Sequence, residues 1–291
     1  VKLRPGFVVT RRIRRLDPVE DADEIARLSL VVLHGSPVLT YALFTVAFMK
    51  QVAVPTMARI LHRRGTGDIL RFPVDRNDDT LLFFGRLLDH GSTSPTGLAW
   101  IERLNEIHSH FPLRNDDSLY TLSTLALDPD RITSSQGFSP FSKSELEAQW
   151  RFWRSVAELQ HLTDLPASRR QMQRWAADYE RREYAPTSEG RDIARSLIAA
   201  FGERVLPPRL RRHSESIISA IAPEELRTVH ALPEPSWVMR SAIRLAVLGY
   251  TVATPIRPVD LDRLMVTSVG PRQASSLAPS QVGYRRRIRR P

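Results

Sequence analysis

Residues 142–159 read Ser142-Lys143-Ser144-Glu145-Leu146-Glu147-Ala148-Gln149-Trp150, then Arg151-Phe152-Trp153-Arg154-Ser155-Val156-Ala157-Glu158-Leu159. Ser142 and Glu145 have the S-x-x-E spacing of a capping box, in which each side chain satisfies an amide of the other's end of the first turn. Trp150, Trp153, Val156 and Leu159 then recur at helical spacing, so this stretch opens an amphipathic helix. The same period governs most of the chain, and little of it alternates at period two. Asp17-Pro18 has the look of a cap followed by proline at the first helical position, and predicts a helix to about Leu33. Pro37 to His62 reads as a long apolar helix kinked at Pro55. Further helices are expected over 77–90, 96–110, 117–127, 188–201, 208–221 and 236–254. Pro166-Ala167-Ser168 introduces another, to about Glu183, with Met172, Trp175 and Tyr179 on one face. The 21 prolines fall mostly between these segments, as starts and stops. The reading is all-α: a single multi-helix globular domain over 16–262, a basic N-terminal arm over 1–15, and a disordered basic tail over 267–291.

The composition sets the limits. A chain of 291 residues, 42% hydrophobic and 25% charged, can bury a substantial core. It has no cysteine, which excludes disulfides, cysteine zinc sites and thiolate-ligated haem or iron–sulfur clusters. Any metal falls to histidine, of which there are eight, to Asp or Glu, or to softer donors such as Lys and Met. The formal charge of +10 suggests nucleic acid, but its location does not. Residues 1–16 hold six basic groups and no acid, and residues 272–291 hold another six and no acid. The segment between them carries 30 basic and 32 acidic residues, a net of −2. Of the 42 basic residues 39 are arginine, the codon bias of a GC-rich, bacterial genome. No nucleic-acid partner is expected. The basic start runs into Leu16-Asp17-Pro18 and not into an apolar leader, which suggests a cytoplasmic protein. Leu28 to Met49 is free of formal charge, but His34-Gly35-Ser36-Pro37 interrupts it, and the remaining run is too short to cross ~30 Å of hydrocarbon. A buried helix is the expectation there, with peripheral membrane contact left open.

Few residues carry chemistry on their face. G-x-S-x-G, H-E-x-x-H, a P-loop and G-x-G-x-x-G are all missing. His108 and His110 sit at i and i+2, which on a helix point away from each other and make poor joint ligands. Two segments stand out. In Arg76-Asn77-Asp78-Asp79-Thr80, Arg76 and Thr80 share a helical face and Asp79 lies beside them. In Arg103-Leu104-Asn105-Glu106-Ile107-His108, the histidine stands in an apolar run with Leu98, Ile101 and Leu104. Such a histidine is either an axial ligand to a buried haem iron or an ordinary core residue. His34 reads as helix termination, and His62-Arg63-Arg64 as a charged helix end at the negative pole of the dipole. Trp150, Trp153 and Trp175 read as packing residues.

The stretch from Arg103 to Leu127 resembles the MpaB family of oxygenases. So do Phe141-Ser142-Lys143-Ser144-Glu145, Phe152-Trp153, Leu165-Pro166-Ala167-Ser168 and Asp178-Tyr179-Glu180 downstream. The likeness runs from about Leu16 to Pro258 and extends more distantly to the latex-clearing rubber oxygenases. The resemblance implies an all-α, dioxygen-dependent oxidoreductase. In the rubber enzymes it further implies haem b, an R-x-x-K-T motif and a proximal histidine further along. Arg76 and Thr80 match that arginine and threonine, Asp79 stands where the lysine would be, and His108 matches the proximal ligand. Loss of the lysine removes a ligand from the sixth iron position and argues against latex clearing itself, while Asp-Thr is similar to the MpaB-like members. On this reading Arg76, Asp79 and Thr80 form the distal, catalytic group. Arg76 also holds a haem carboxylate, and His108 binds the metal. The substrate is a small apolar or isoprenoid-like molecule, with oxidative C=C cleavage as the candidate reaction. Two rivals remain: a non-haem metal oxygenase using His108 with Asp79 or Asp78, and a non-catalytic helical protein that binds membranes or partners through its basic ends.

Overall fold

In a computed structural model, residues 3–269 and 276–283 are described. The chain opens with a short strand, β1 (Leu3–Pro5), and α1 (Gly6–Ile13). It continues through α2 (Ala22–Ala26), which runs on as a π-helix (Arg27–Leu33), then α3 (Pro37–Val52), α4 (Pro55–His62) and α5 (Asp68–Arg71). The long helices α6 (Pro73–His90), α7 (Pro95–His108), α8 (Asn115–Ser135) and α9 (Lys143–Leu159) follow. The remainder is α10 (Arg169–Glu183), α11 (Ser188–Val205), α12 (Ser214–Ile221), α13 (Glu224–His230), α14 (Trp237–Ala253) and a second short strand, β2 (Pro258–Asp260).

The local signals account for most helix starts. Proline occupies the first position of α3, α4, α6 and α7, where its missing N–H costs nothing. The capping box of α9 forms as read: the Glu145 amide donates to Ser142 Oγ, and the Ser142 amide donates to Glu145 at 2.9 Å. The same Glu145 carboxylate accepts from buried Ser29 at 2.8 Å, which ties α9 to the π-helical segment. Ser94, Ser168, Thr187 and Ser236 cap α7, α10, α11 and α14 by a single bond, each hydroxyl accepting from the amide three residues on. The centre of the fold is α3. It is buried continuously from Phe44 to Val52 and packs against α8 and α11, with α9 and α10 laid on α8. A helix that is apolar all round belongs in a core. Among the described residues no single helix is long and apolar enough to cross a membrane, and the apolar pair 22–33 and 37–52 bends by 115°.

Several boundaries differ from the sequence reading. Asp17 does not cap a helix from Pro18: its Oδ1 accepts from the amides of Val19 and Glu20, closing a turn, and α2 starts only at Ala22. Pro55 does not kink one helix but starts another, because Val54 is extended. The helix predicted to stop at Leu127 continues through Pro129 to Ser135. Residues 208–213 form a 3-10 turn ahead of α12. The basic arm expected over 1–15 is folded from Leu3 onward. β1 pairs antiparallel with β2, and Val9 and Ile13 of α1 are buried against Ile25, Leu28 and Val259. The tail expected over 267–291 is in part packed on the body: Val269 and Val282 are buried, and the carbonyl of Val282 accepts from the Arg103 guanidinium at 3.1 Å. The rest of that segment, 270–275 and 284–291, lies outside the described residues.

Candidate active site

An apolar cavity of about 210 Å³ lies where α3, α4, α5, α6, α7 and α8 meet. Its walls are mainly aromatic and aliphatic and include Phe44, Phe48, Phe83, Phe84, Leu104 and Ile107. Arg76, Asp79, Thr80 and His108 all line this same cavity. The first three come from α6, at i, i+3 and i+4, and are half-buried. His108 is the last residue of α7, so its ring stands at the end of a helix beside the void. Burial, and then the charge of Arg76, hold the His108 imidazole down to about 4, well below the ordinary 6.5. It is therefore neutral at physiological pH, with a lone pair free to bind a metal. Arg76 donates to Thr80 Oγ1, and the Thr80 hydroxyl donates to the Arg76 carbonyl at 3.0 Å. Thr80 thereby fixes the guanidinium against its own helix.

Other sequence candidates fall elsewhere. Asp78 points to the opposite side of α6, where it accepts from the Tyr41 hydroxyl at 2.6 Å and pairs with Arg204. His110 is exposed and contacts the Glu106 carbonyl. His34 is buried against Tyr250, 2.9 Å from its hydroxyl, and burial and Arg257 hold it down to about 3. Tyr120 is satisfied inside the bundle, donating to Glu180 at 3.0 Å, but Thr121 beside it faces the cavity.

Sequence reasoning missed one cavity residue of consequence. Arg63, read as part of a charged helix end, lines the void and lies over the Phe111 ring, 5.1 Å from its centre. Its backbone is left-handed (φ 48°), a conformation that costs a non-glycine residue free energy and that often marks functional sites. No sequence signal distinguishes it from Arg64. Gln51 also enters the cavity from α3, and Gly283 closes it from beside Ile107.

The donor set can be tested against the two metal-bearing readings. A bare iron needs about three protein ligands, as in the two-histidine, one-carboxylate triad. Among the described residues no three His, Asp or Glu side chains converge on one point. A porphyrin brings four nitrogens of its own and needs one axial ligand, which His108 can supply. Its two carboxylates call for cations, and Arg63 and Arg76 are the two arginines on the wall. At about 210 Å³ the cavity is smaller than the roughly 300–1,000 Å³ usual for a small-molecule pocket, so a macrocycle requires its walls to move apart. The residues fit haem, and they fit a bare metal poorly.

The profile described as "ER-bound oxygenase mpaB/B'/Rubber oxygenase, catalytic domain" matches residues 32–254. The chain belongs to this MpaB and rubber-oxygenase family. The matched region contains every cavity residue named above except Gly283. The ER-bound oxygenase mpaB' of Penicillium brevicompactum is 25% identical over 237 residues, 74% of this chain and 55% of the fungal protein. The ER-bound oxygenase mpaB of the same organism is 23% identical over 164 residues, 51% of this chain and 42% of that protein. The chain thus spans about half the length of these curated relatives.

Proposed function

We propose that this MpaB-family protein is a haem-b-dependent oxygenase that uses dioxygen on a small apolar or isoprenoid-like substrate, with cleavage of a C=C bond as the candidate reaction. The observation that carries the reading is the convergence of His108, Arg76, Asp79 and Thr80 on one apolar cavity. The haem, when bound, supplies an iron centre able to activate dioxygen.

The remaining chemistry falls to the chain. Neutral His108, at the end of α7, would hold the metal through one ring nitrogen. Arg63 and Arg76 would hold the two carboxylates, since a guanidinium stays charged and can bind a carboxylate through two parallel hydrogen bonds. Thr80 is a positioning residue for Arg76. Asp79 is one of two wall carboxylates, with Asp68, and the one on the same helix as Arg76 and Thr80; it is the group assigned to hold or pass a proton. It is shorter than lysine and of opposite charge, so it offers no amine where the rubber enzymes place one. The phenylalanines and leucines exclude water and select an apolar substrate by burial of its surface.

The test is spectroscopic. Purified protein, as isolated or reconstituted with haem, is expected to show a Soret band that shifts on addition of imidazole or cyanide. His108→Ala is expected to retain the fold while losing stoichiometric haem and that spectrum. A colourless protein that refuses haem but carries stoichiometric iron by metal analysis overturns the assignment, and so does a His108→Ala variant with unchanged haem content and spectrum.

A further inference from the structure

Most buried faces of this protein are matched by a neighbouring element, but one helix is not. Helix α14 packs by one side on α12 and has no fully buried residue. Its outward side carries Val238, Ala242, Leu245, Gly249 and Val252, spaced i, i+4, i+7, i+11, i+14, and Ile256 continues the line past the helix end. Leu245 is 68% exposed and Val252 67%. Trp237, 75% exposed, and Arg244 lie along one edge of this stripe, which from Val238 to Val252 is about 21 Å long.

A second observation lies against the same helix. The amide of Phe7 donates to the carbonyl of Pro255 at 2.7 Å, and that of Gly6 to Arg257 at 3.0 Å, so α1 abuts the C-terminal end of the stripe. Phe7, Arg11 and Arg14 share the outward face of α1 at i, i+4, i+7, all exposed, with exposed Leu3 and Arg4 just before them. The first sixteen residues contain no acid. Of the twelve large apolar side chains most exposed on the described surface, seven belong to this one region. It joins an apolar stripe, an edge tryptophan and a cluster of arginines.

We propose that α14 and the α1 face dock this protein on an anionic lipid surface: Leu245, Val252, Ile256 and Phe7 enter the acyl boundary while Arg4, Arg11 and Arg14 meet headgroup phosphates. Charge selects this occupant. Arginines beside an apolar stripe complement a phosphate plane, whereas this face paired symmetrically with itself in a second copy would set arginine against arginine. The docking does not depend on the cofactor reading and holds whether or not the cavity takes haem.

The test is co-sedimentation of the full chain with vesicles of phosphatidylcholine alone and vesicles that also contain phosphatidylglycerol. Binding is expected to the second and to weaken as salt is raised. Leu245→Asp with Val252→Asp is expected to lower the affinity at least about tenfold. Arg11→Ala and Arg14→Ala should each lower it roughly fivefold. All four residues are exposed, so the variants are expected to keep the wild-type circular dichroism and melting, and the arginine pair stands as an independent check on the apolar pair. Failure to bind anionic vesicles overturns the proposal. So does binding that survives Leu245→Asp with Val252→Asp, as it would if the arginines at 285–290 alone carried it. A dimer in light scattering that the same double variant abolishes also overturns it, since the stripe would then belong to a second copy.

Discussion

The two sides of α3 face opposite kinds of interior. One side sends Phe44, Ala47, Phe48 and Gln51 into the apolar cavity that holds His108 and Arg76. The other sends Lys50 into a cluster of charges with Asp128 at 2.8 Å and Glu180 at 2.9 Å, and Glu180 is gripped by Arg131 through two further contacts at 3.1 and 3.2 Å. Two cations and two anions cancel there. Burial raises the Asp128 carboxyl above its usual range; it pushes Glu180 up as well, but Lys50 and Arg131 outweigh it and hold Glu180 low. The cavity wall also carries two cations and two anions, Arg63, Arg76, Asp68 and Asp79, but most of the rest of it is hydrocarbon. The charges around Lys50 hold helices together inside the bundle, whereas those of the cavity border an open space.

That contrast can be broken in three places. The largest effect is expected at Lys50→Met, which takes the nearest cation from fully buried Asp128 and leaves it only Arg131, 3.8 Å away. Breaking a buried pair from one side costs about 3–5 kcal/mol, readable as a lower urea midpoint. Adding Asp128→Leu should recover part of it, and a loss below about 1 kcal/mol would show that the cluster is not a structural unit. Next comes acidification. Because His108 is depressed from 6.5 to about 4, its contribution to stability is fully present above 6.5 and is lost as the pH falls through 4. His108→Gln should therefore flatten the stability of the haem-free protein over that range by roughly 1–3 kcal/mol. Chemical denaturation at pH 7 and pH 4 measures it, and parallel profiles would remove His108 as the cause. The smallest effects belong to the cavity cations: Arg76→Gln is expected to raise the haem dissociation constant about tenfold and Thr80→Val about threefold, with melting temperatures nearly unchanged. If either variant melts as early as Lys50→Met, the cavity charges are structural after all.

What was legible in the sequence was local. Ser142 with Glu145, Ser168 before α10 and Pro37 opening α3 state their roles within four residues, and each helix starts where they say, whereas α6 begins at Pro73, four residues before the expected 77. The signal failed where a residue has two local uses. Asp17 serves a turn as readily as a cap, and Pro129 is tolerated inside α8, where Thr133 bonds to its carbonyl at 2.7 Å. The arginines of residues 11–15 hid the apolar pair Val9 and Ile13, whose i, i+4 spacing was the evidence that the segment folds. At the site, Arg76 with Thr80 was readable as one helical face, and His108 came through likeness to the family. Arg63 was not readable, because its approach to the cavity depends on a left-handed turn between α4 and α5. The partners of Lys50 lie on α8 and α10, and no spacing rule reaches that far.

The pairing of Leu3–Pro5 with Pro258–Asp260 has a kinetic meaning. It joins segments roughly 250 residues apart in the sequence, so closing it requires the long intervening chain to be in place, and contacts of such separation form late. With only three residues on each side, it is also a place where the native protein opens before it unfolds. A nascent chain leaving the ribosome would hold β1 unpaired until residues 258–260 emerged, and mature protein would release it again in brief local openings. Amide exchange at Gly6 and Phe7, which donate across this junction, would report that clock directly.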